Sequence, residues 1–183
     1  MPNGMSFWEV VAEDAKRAGG SIYPHSSFIA RHWQAFKLRR FRPGFACVFW
    51  LRVNQRIARK RFAVQLRNWR FYRFGNEISE FAHIGPGLLL PHPTDVTIGS
   101  ASVIGSHATM YNGVTLGSKS IFETSVQMPT LGDNVVVYTG AKLIGGVHIG
   151  NNVEIGALSL CNKDVPANSV MYGIPPNVTI KPK

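Results

Sequence analysis

The sequence predicts a mostly β protein, a three-sided parallel β-solenoid preceded by an α-helical segment. Three observations carry this: an aliphatic anchor every six residues from Ile78 onward, a glycine directly after many anchors, and a basic, aromatic stretch before Ile78 with a different period. The anchors are Ile78, Ile84, Leu90, Ile98, Ile104, Met110, Leu116, Leu131, Val137, Leu143, Ile149, Ile155, Cys161 and Ala167. Six fits neither the 3.6-residue helical period nor strand alternation, so each hexad is read as one flat side of a triangular coil with its anchor inward. Two intervals break step, with two extra residues before Ile98 and nine between Leu116 and Leu131. Gly85, Gly99, Gly105, Gly132, Gly150 and Gly156 fall where the chain turns a corner and a side chain would crowd it. A β-sandwich of short strands would need longer and less regular spacing.

Composition divides the chain near Glu77. Residues 1–77 hold fifteen Lys/Arg against four Asp/Glu, a net of +11, and fifteen of the twenty aromatics; the remainder nets −1. Expected segments are therefore a basic helical one at 1–77, the solenoid at 78–173 and a proline-rich tail at 174–183. At 183 residues the chain is long enough for a proper core. The start lacks an apolar secretion signal, and the longest apolar run, Phe45–Leu51, falls far short of the roughly 20 residues a membrane span requires. The expected location is the cytoplasm. Cys161 stands at an anchor and Cys47 in another segment, which suits buried structural thiols better than a disulfide.

Within the first segment, residues 5–18 read as a short helix with Ser6 and Glu9 forming a capping box. A second helix covers Phe28–Arg40 and stops before Pro43-Gly44. A third starts near Phe45 and runs through Phe62, Leu66 and Trp69 to about Arg73, with Phe45, Phe49, Val53 and Ile57 on one face and Arg52, Arg56 and Lys60 on another. The interleaved basic and aromatic residues suit a solvated face or peripheral contact with an anionic acceptor or anionic membrane surface, the latter worth roughly 1 kcal/mol per well-placed basic residue. Nucleic acid is disfavoured, because no nucleic-acid motif accompanies the run.

Stacking builds a candidate site. Two positions after the third anchor of each coil stand His92, Asn112, Thr139 and Ala157, a ladder of small side chains above an imidazole, flanked by Gly113 and Gly140. Histidine titrates near neutrality, at a pKa of about 6.5, and is the natural general base for an alcohol. The polar insertion SKSIFETSVQMP leaves the third coil as a projecting, candidate functional loop.

IGPGLLLPH followed by IG, then GVTLG at 113–117, TGAKLIGG and the closing GIPP resemble the serine O-acetyltransferase family of hexapeptide-repeat acyltransferases, nearest in type to those acting on sugars and polysaccharides. PGF at 43–45 and then Arg52 resemble the helix that precedes the family's solenoid. The resemblance implies a left-handed parallel β-helix, acetyl-CoA as donor substrate, no metal, and a homotrimer with sites in the grooves between subunits. It implies that His92 is the catalytic base and that Glu77, fifteen residues earlier where the family has an aspartate, fixes the ring's tautomer; Asp95, only three residues from His92, is the rival by proximity. Thr139, Gly140, Ala157 and Gly117 would line the donor groove, with Lys142 and Lys163 near the phosphates. Asn112, Gln127, Met128 and Arg52 fall on the acceptor side.

Departures from the pattern bear on the acceptor. Pro91 stands where the family has an acid, and Gln127-Met128 where it has Arg-His. A zwitterion needs paired charges, and an unpaired polar end in a closed site costs on the order of 1–3 kcal/mol. These changes argue against free serine and for the hydroxyl of a saccharide, a capsule, exopolysaccharide or lipopolysaccharide unit. Serine O-acetylation and amino-sugar N-acetylation are the alternative transferase readings. A zinc site using His83, His92, His107 or His148, and a scaffold lacking activity, are the non-transferase ones.

Overall fold

A computed structural model describes residues 4–58, 61–120 and 127–181. Four helices precede the solenoid: α1 (Phe7–Arg17), α2 (Phe28–Phe41), α3 (Pro43–Ile57) and α4 (Phe62–Phe74). The capping box at α1 forms, with the Ser6 hydroxyl accepting from the Glu9 amide and the Glu9 carboxylate accepting from the Ser6 amide. The single long third helix expected from the periodicity is two helices, since α3 ends at Ile57 and α4 begins at Phe62. α3 is the central one: α1, α2 and α4 each pack against it. Its apolar face, with Phe45, Cys47, Val48 and Leu51, is buried. Helix α4 stops at Gly75, whose φ of 62° closes the last turn in the left-handed conformation.

From Glu77 the chain coils through three parallel faces. The first stacks Glu77–Ile78, Thr97–Ile98, Thr115–Gly117, Lys142–Ile144 and Leu160–Cys161. The second stacks His83–Ile84, Val103–Ile104, Thr130–Leu131 and His148–Ile149. The third stacks Thr109–Met110, Val136–Val137, Glu154–Ile155, Ser169–Tyr172 and Asn177–Ile180. The expected anchors from Ile78 to Cys161 are all buried and form one continuous core. Ala167 is the exception: it is exposed, and Val165 bridges Ile149 in its place, because the last coil pairs two residues short of the eighteen-residue register.

The anticipated tail is ordered structure. Ser169–Tyr172 still stacks in parallel on Glu154–Ile155, and Asn177–Ile180 then folds back antiparallel on it, with the peptide before Pro175 cis. One corner column is held by an asparagine ladder: Asn134 donates to Asn152 at 3.2 Å, and Asn152 to Asn168 at 2.9 Å. All three take left-handed φ of 57° or 58°, which asparagine tolerates better than other side chains.

The helical segment is fastened to the first coil by buried side chains that satisfy its free backbone groups. Asp14, on α1, accepts from the Gly87 and Leu88 amides at 2.8 and 2.9 Å and from Arg52 Nε and Nη2 at 2.9 and 3.1 Å. Arg52, on α3, donates onward to the Ile84 and Gly85 carbonyls at 2.7 and 2.6 Å. Gln55 donates to the Ala82 carbonyl, Arg70 to that of Ile78 and to Asn54, and Asn76 to that of Pro93. A buried ion pair of this kind persists because every lone pair and proton finds a partner. Arg52 is thus a structural clamp, 2% exposed and with its donors engaged, and the expectation that it contacts the acceptor is corrected.

Candidate functional site

His92 stands on the corner joining the third face to the first. That corner is two residues longer in the first coil than above it: Leu90 to Ile98 spans eight residues, whereas Met110–Leu116, Val137–Leu143 and Ile155–Cys161 each span six. The extra residues displace the stacking. Gly140 N bonds to the Asn112 carbonyl and Leu158 N to that of Thr139, while Gly113 N bonds to the carbonyl of Thr94. The foot of the ladder is therefore Thr94, not His92 as the spacing suggested. His92 projects from the added loop beside it, exposed, with its ring 6.3 Å from that of Tyr111.

Above Thr94, the ladder continues with Asn112, Thr139 and Ala157, and the Thr139 hydroxyl donates to Asn112 Oδ1 at 3.2 Å. The next residue of each rung, Asp95, Gly113, Gly140 and Leu158, adopts left-handed φ of 56°, 72°, 72° and 56°. Space at Gly113 is also tight, since a Cβ there would meet the Gly140 backbone at 3.3 Å. Thr94, Thr139 and Ala157 are exposed, and their small side chains leave the backbone of this corner open to a ligand. Lys142 lies over the same edge, its ammonium donating to the Gly113 carbonyl at 2.7 Å and to Thr115 Oγ1 at 2.9 Å.

The remaining sequence candidates separate. Glu77 and Asp95 are both exposed, and neither is hydrogen-bonded to His92 within one protomer. The Asp95 carboxylate lies against Gly113, and Glu77 lines a recess of about 290 Å³ with Arg67, Asn68, Arg70 and Asn76. Gly117, Gln127, Met128 and Lys163 occupy the opposite edge of the first face. There Gly145 N bonds to the Gly117 carbonyl, Gln127 lies on Gly146, and Met128 Sδ packs on Gly99 and takes the Ser102 hydroxyl at 3.8 Å. Gly117 has ordinary space around it, so no close approach requires glycine there. The insertion's residues 121–126 lie outside the described residues. His83 and His148 share a column of the second face, three rungs apart, and His107 sits on another corner over Gly87. Among the described residues, no three His, Cys, Asp or Glu side chains converge as a metal site.

Sequence reasoning missed an aromatic pair beside the ladder. Tyr111 and Tyr138 stack with centroids 5.5 Å apart and planes at 20°. The Tyr138 hydroxyl donates to Glu154 at 3.2 Å, and Glu154 is ion-paired to Lys181 at 2.8 Å. Burial and the neighbouring Glu154 carboxylate push the Tyr138 phenol above its usual range. Each tyrosine directly precedes a ladder residue, and that adjacency was the available signal.

Residues 128–163 match the family described as bacterial transferase hexapeptide (six repeats). The serine acetyltransferase of Synechococcus elongatus is 37% identical over 74% of this chain and 57% of its own length. That of Helicobacter pylori is 37% identical over 72% of this chain and 78% of its own. A solved serine acetyltransferase in complex with CoA superimposes with a TM-score of 0.77 at 26% identity, covering 95% of this chain and 70% of that one. The coil is accordingly the left-handed parallel β-helix of these transferases. The chain spans little more than half the length of the cyanobacterial relative. With a triangular coil, an open histidine corner and relatives of this kind, the chain belongs to the serine acetyltransferase family of hexapeptide transferases.

Proposed function

We propose that the chain transfers an acetyl group from acetyl-CoA to an acceptor hydroxyl, with His92 as general base and serine as the acceptor favoured by its relatives. One observation carries the assignment: an exposed imidazole stands on a widened corner beside a ladder of small residues that leaves backbone open to an extended thioester. The acceptor oxygen attacks the acetyl carbonyl as its proton passes to the imidazole. The C–S bond then breaks, and the departing thiolate takes the proton back. An imidazole serves both steps because it can accept and return a proton near neutrality.

The candidate residues lie on two edges of one face, with His92, Thr94, Asn112, Thr139, Gly140, Ala157 and Lys142 on one and Gly117, Gln127, Met128 and Lys163 on the other. A homotrimer that sets the first edge of one copy against the second edge of its neighbour would bring them together. Glu77 or Asp95 would orient the imidazole in that assembly, and Glu77→Gln and Asp95→Asn separate them, since only the orienting residue's loss lowers kcat.

A saccharide hydroxyl is the second reading. Pro91, Gln127 and Met128 supply no charges for a zwitterion, and the stacked Tyr111 and Tyr138 beside His92 offer a flat apolar surface suited to a sugar ring. Turnover with serine and a panel of sugars, read by release of the CoA thiol, decides between them. His92→Ala is expected to cost about 10²- to 10⁴-fold in turnover. Near wild-type turnover would overturn the base assignment.

A further inference from the structure

Residues 28–76, spanning α2 to α4, contain thirteen Lys/Arg and no Asp/Glu. Two of these cations, Arg52 and Arg70, are buried in the contact with the solenoid, which leaves most of the charge on the outside. A surface helix ordinarily turns polar residues to solvent. Helix α2 does otherwise. It packs on α3 through Ala35 and Leu38, yet its outer side presents Ile29, Trp33 and Phe36, 79%, 56% and 50% exposed and spaced so as to share one stripe. Trp33 and Phe36 stack at 5.6 Å, Lys37 lies over the Trp33 ring, and Arg40 extends the stripe by one more turn. The surface continues toward α4, because Arg39 lies over Trp50 and Trp50 packs edge-on against Trp69.

We infer that this acid-free aromatic face of α2 docks on an anionic lipid bilayer surface. Aromatic rings among Lys and Arg suit the boundary between headgroups and acyl chains, where the rings enter and the cations meet lipid phosphates. A second copy is a poor occupant, since it would bring two faces without a single acid against each other. A nucleic acid would meet the cations but would leave Ile29 unmatched. Among the described residues no helix is long and apolar enough to cross a membrane, so the contact is peripheral.

The test is flotation of the full chain with phosphatidylcholine vesicles, with and without phosphatidylglycerol. Binding is expected on the anionic vesicles only, and it should fall as salt is raised from about 0.1 M to about 1 M, where the screening length shrinks from about 10 to about 3 Å. Lys37→Glu with Arg40→Glu should lower partition at least about tenfold. Trp33→Ser with Phe36→Ser should lower it too, while salt dependence remains. Both double variants should melt with the wild type and turn over a soluble acceptor at its rate. Partition unchanged in the variants, equal binding to neutral vesicles, tighter binding to single-stranded DNA than to anionic vesicles, or a self-association abolished by the Trp33 and Phe36 changes would each overturn it.

Discussion

Asp14→Ala tests the attachment of helices to solenoid. The carboxylate takes four hydrogen bonds of 2.8 to 3.1 Å, two from Arg52 and one each from the Gly87 and Leu88 amides. Asp14 is 1% exposed and Arg52 2%, so water cannot replace the lost partner. Removing one member of a buried pair costs about 3–5 kcal/mol, because the other charge stays buried without compensation. Against a total stability of about 5–15 kcal/mol this is a large share. At about 2–4 °C per kcal/mol for a chain of this size, the melting temperature should fall by roughly 6–20 °C. Urea titration and a thermal melt measure it. Asp14→Leu combined with Arg52→Met should lose less than Asp14→Ala alone, since no orphaned charge remains. A loss below about 1 kcal/mol for Asp14→Ala would refute the clamp.

Gly44→Ala should cost about 1–3 kcal/mol and also depress turnover, because a Cβ there would overlap the Leu90 carbonyl oxygen, two residues before His92; a wild-type melt and turnover would contradict this. Burial raises both cysteine thiols to about 11, against the weaker lowering effects of Asn76 on Cys47 and of the Lys163 backbone on Cys161. Very little thiolate therefore forms at pH 8, and native protein should resist iodoacetamide there in contrast to unfolded protein. Rapid native labelling would count against the buried placement. Lys181 holds the Glu154 carboxyl below its ordinary value of 4.5, so the stabilisation is complete above that value and is lost as pH falls through the lower folded value. Protection of the Asn177–Ile180 amides, corrected for the intrinsic exchange rate at each pH, should fall in that acid window in the wild type and show no such step in Glu154→Gln.

The sequence shows a solenoid most clearly where one interaction repeats. An inward aliphatic residue every six positions is a local rule, and it located the core from Ile78 to Cys161; the Ser6 and Glu9 cap is equally local. What required distant partners stayed hidden. Arg52 reads as a member of a basic face with Arg56 and Lys60, because its charge is visible in the sequence and its burial is not. The Asp14 that neutralises Arg52 lies 38 residues away. The two-residue delay before Ile98 is plain in the sequence, but which corner absorbs it depends on the hydrogen bond between Thr94 and Gly113, and so the foot of the ladder falls two residues beyond His92. The separation of Gly117, Gln127, Met128 and Lys163 from His92 likewise follows from which end of a strand each occupies. Neutral residues at 91, 127 and 128 read as the mark of a saccharide acceptor, whereas the similar proteins of Synechococcus elongatus and Helicobacter pylori are serine acetyltransferases.

The two ends of the coil are closed by different means. Below, side chains from the helices occupy backbone groups that a further rung would have used, at Ile78, Ala82, Ile84, Gly85, Gly87, Leu88 and Pro93. Above, the strand Asn177–Ile180 runs against the direction of every other and offers no parallel template. Open sheet edges are where chains polymerise. With the lower end filled and one of the three upper edges capped in this way, fibre-like growth along the axis is disfavoured and association through the sides of the coil is favoured.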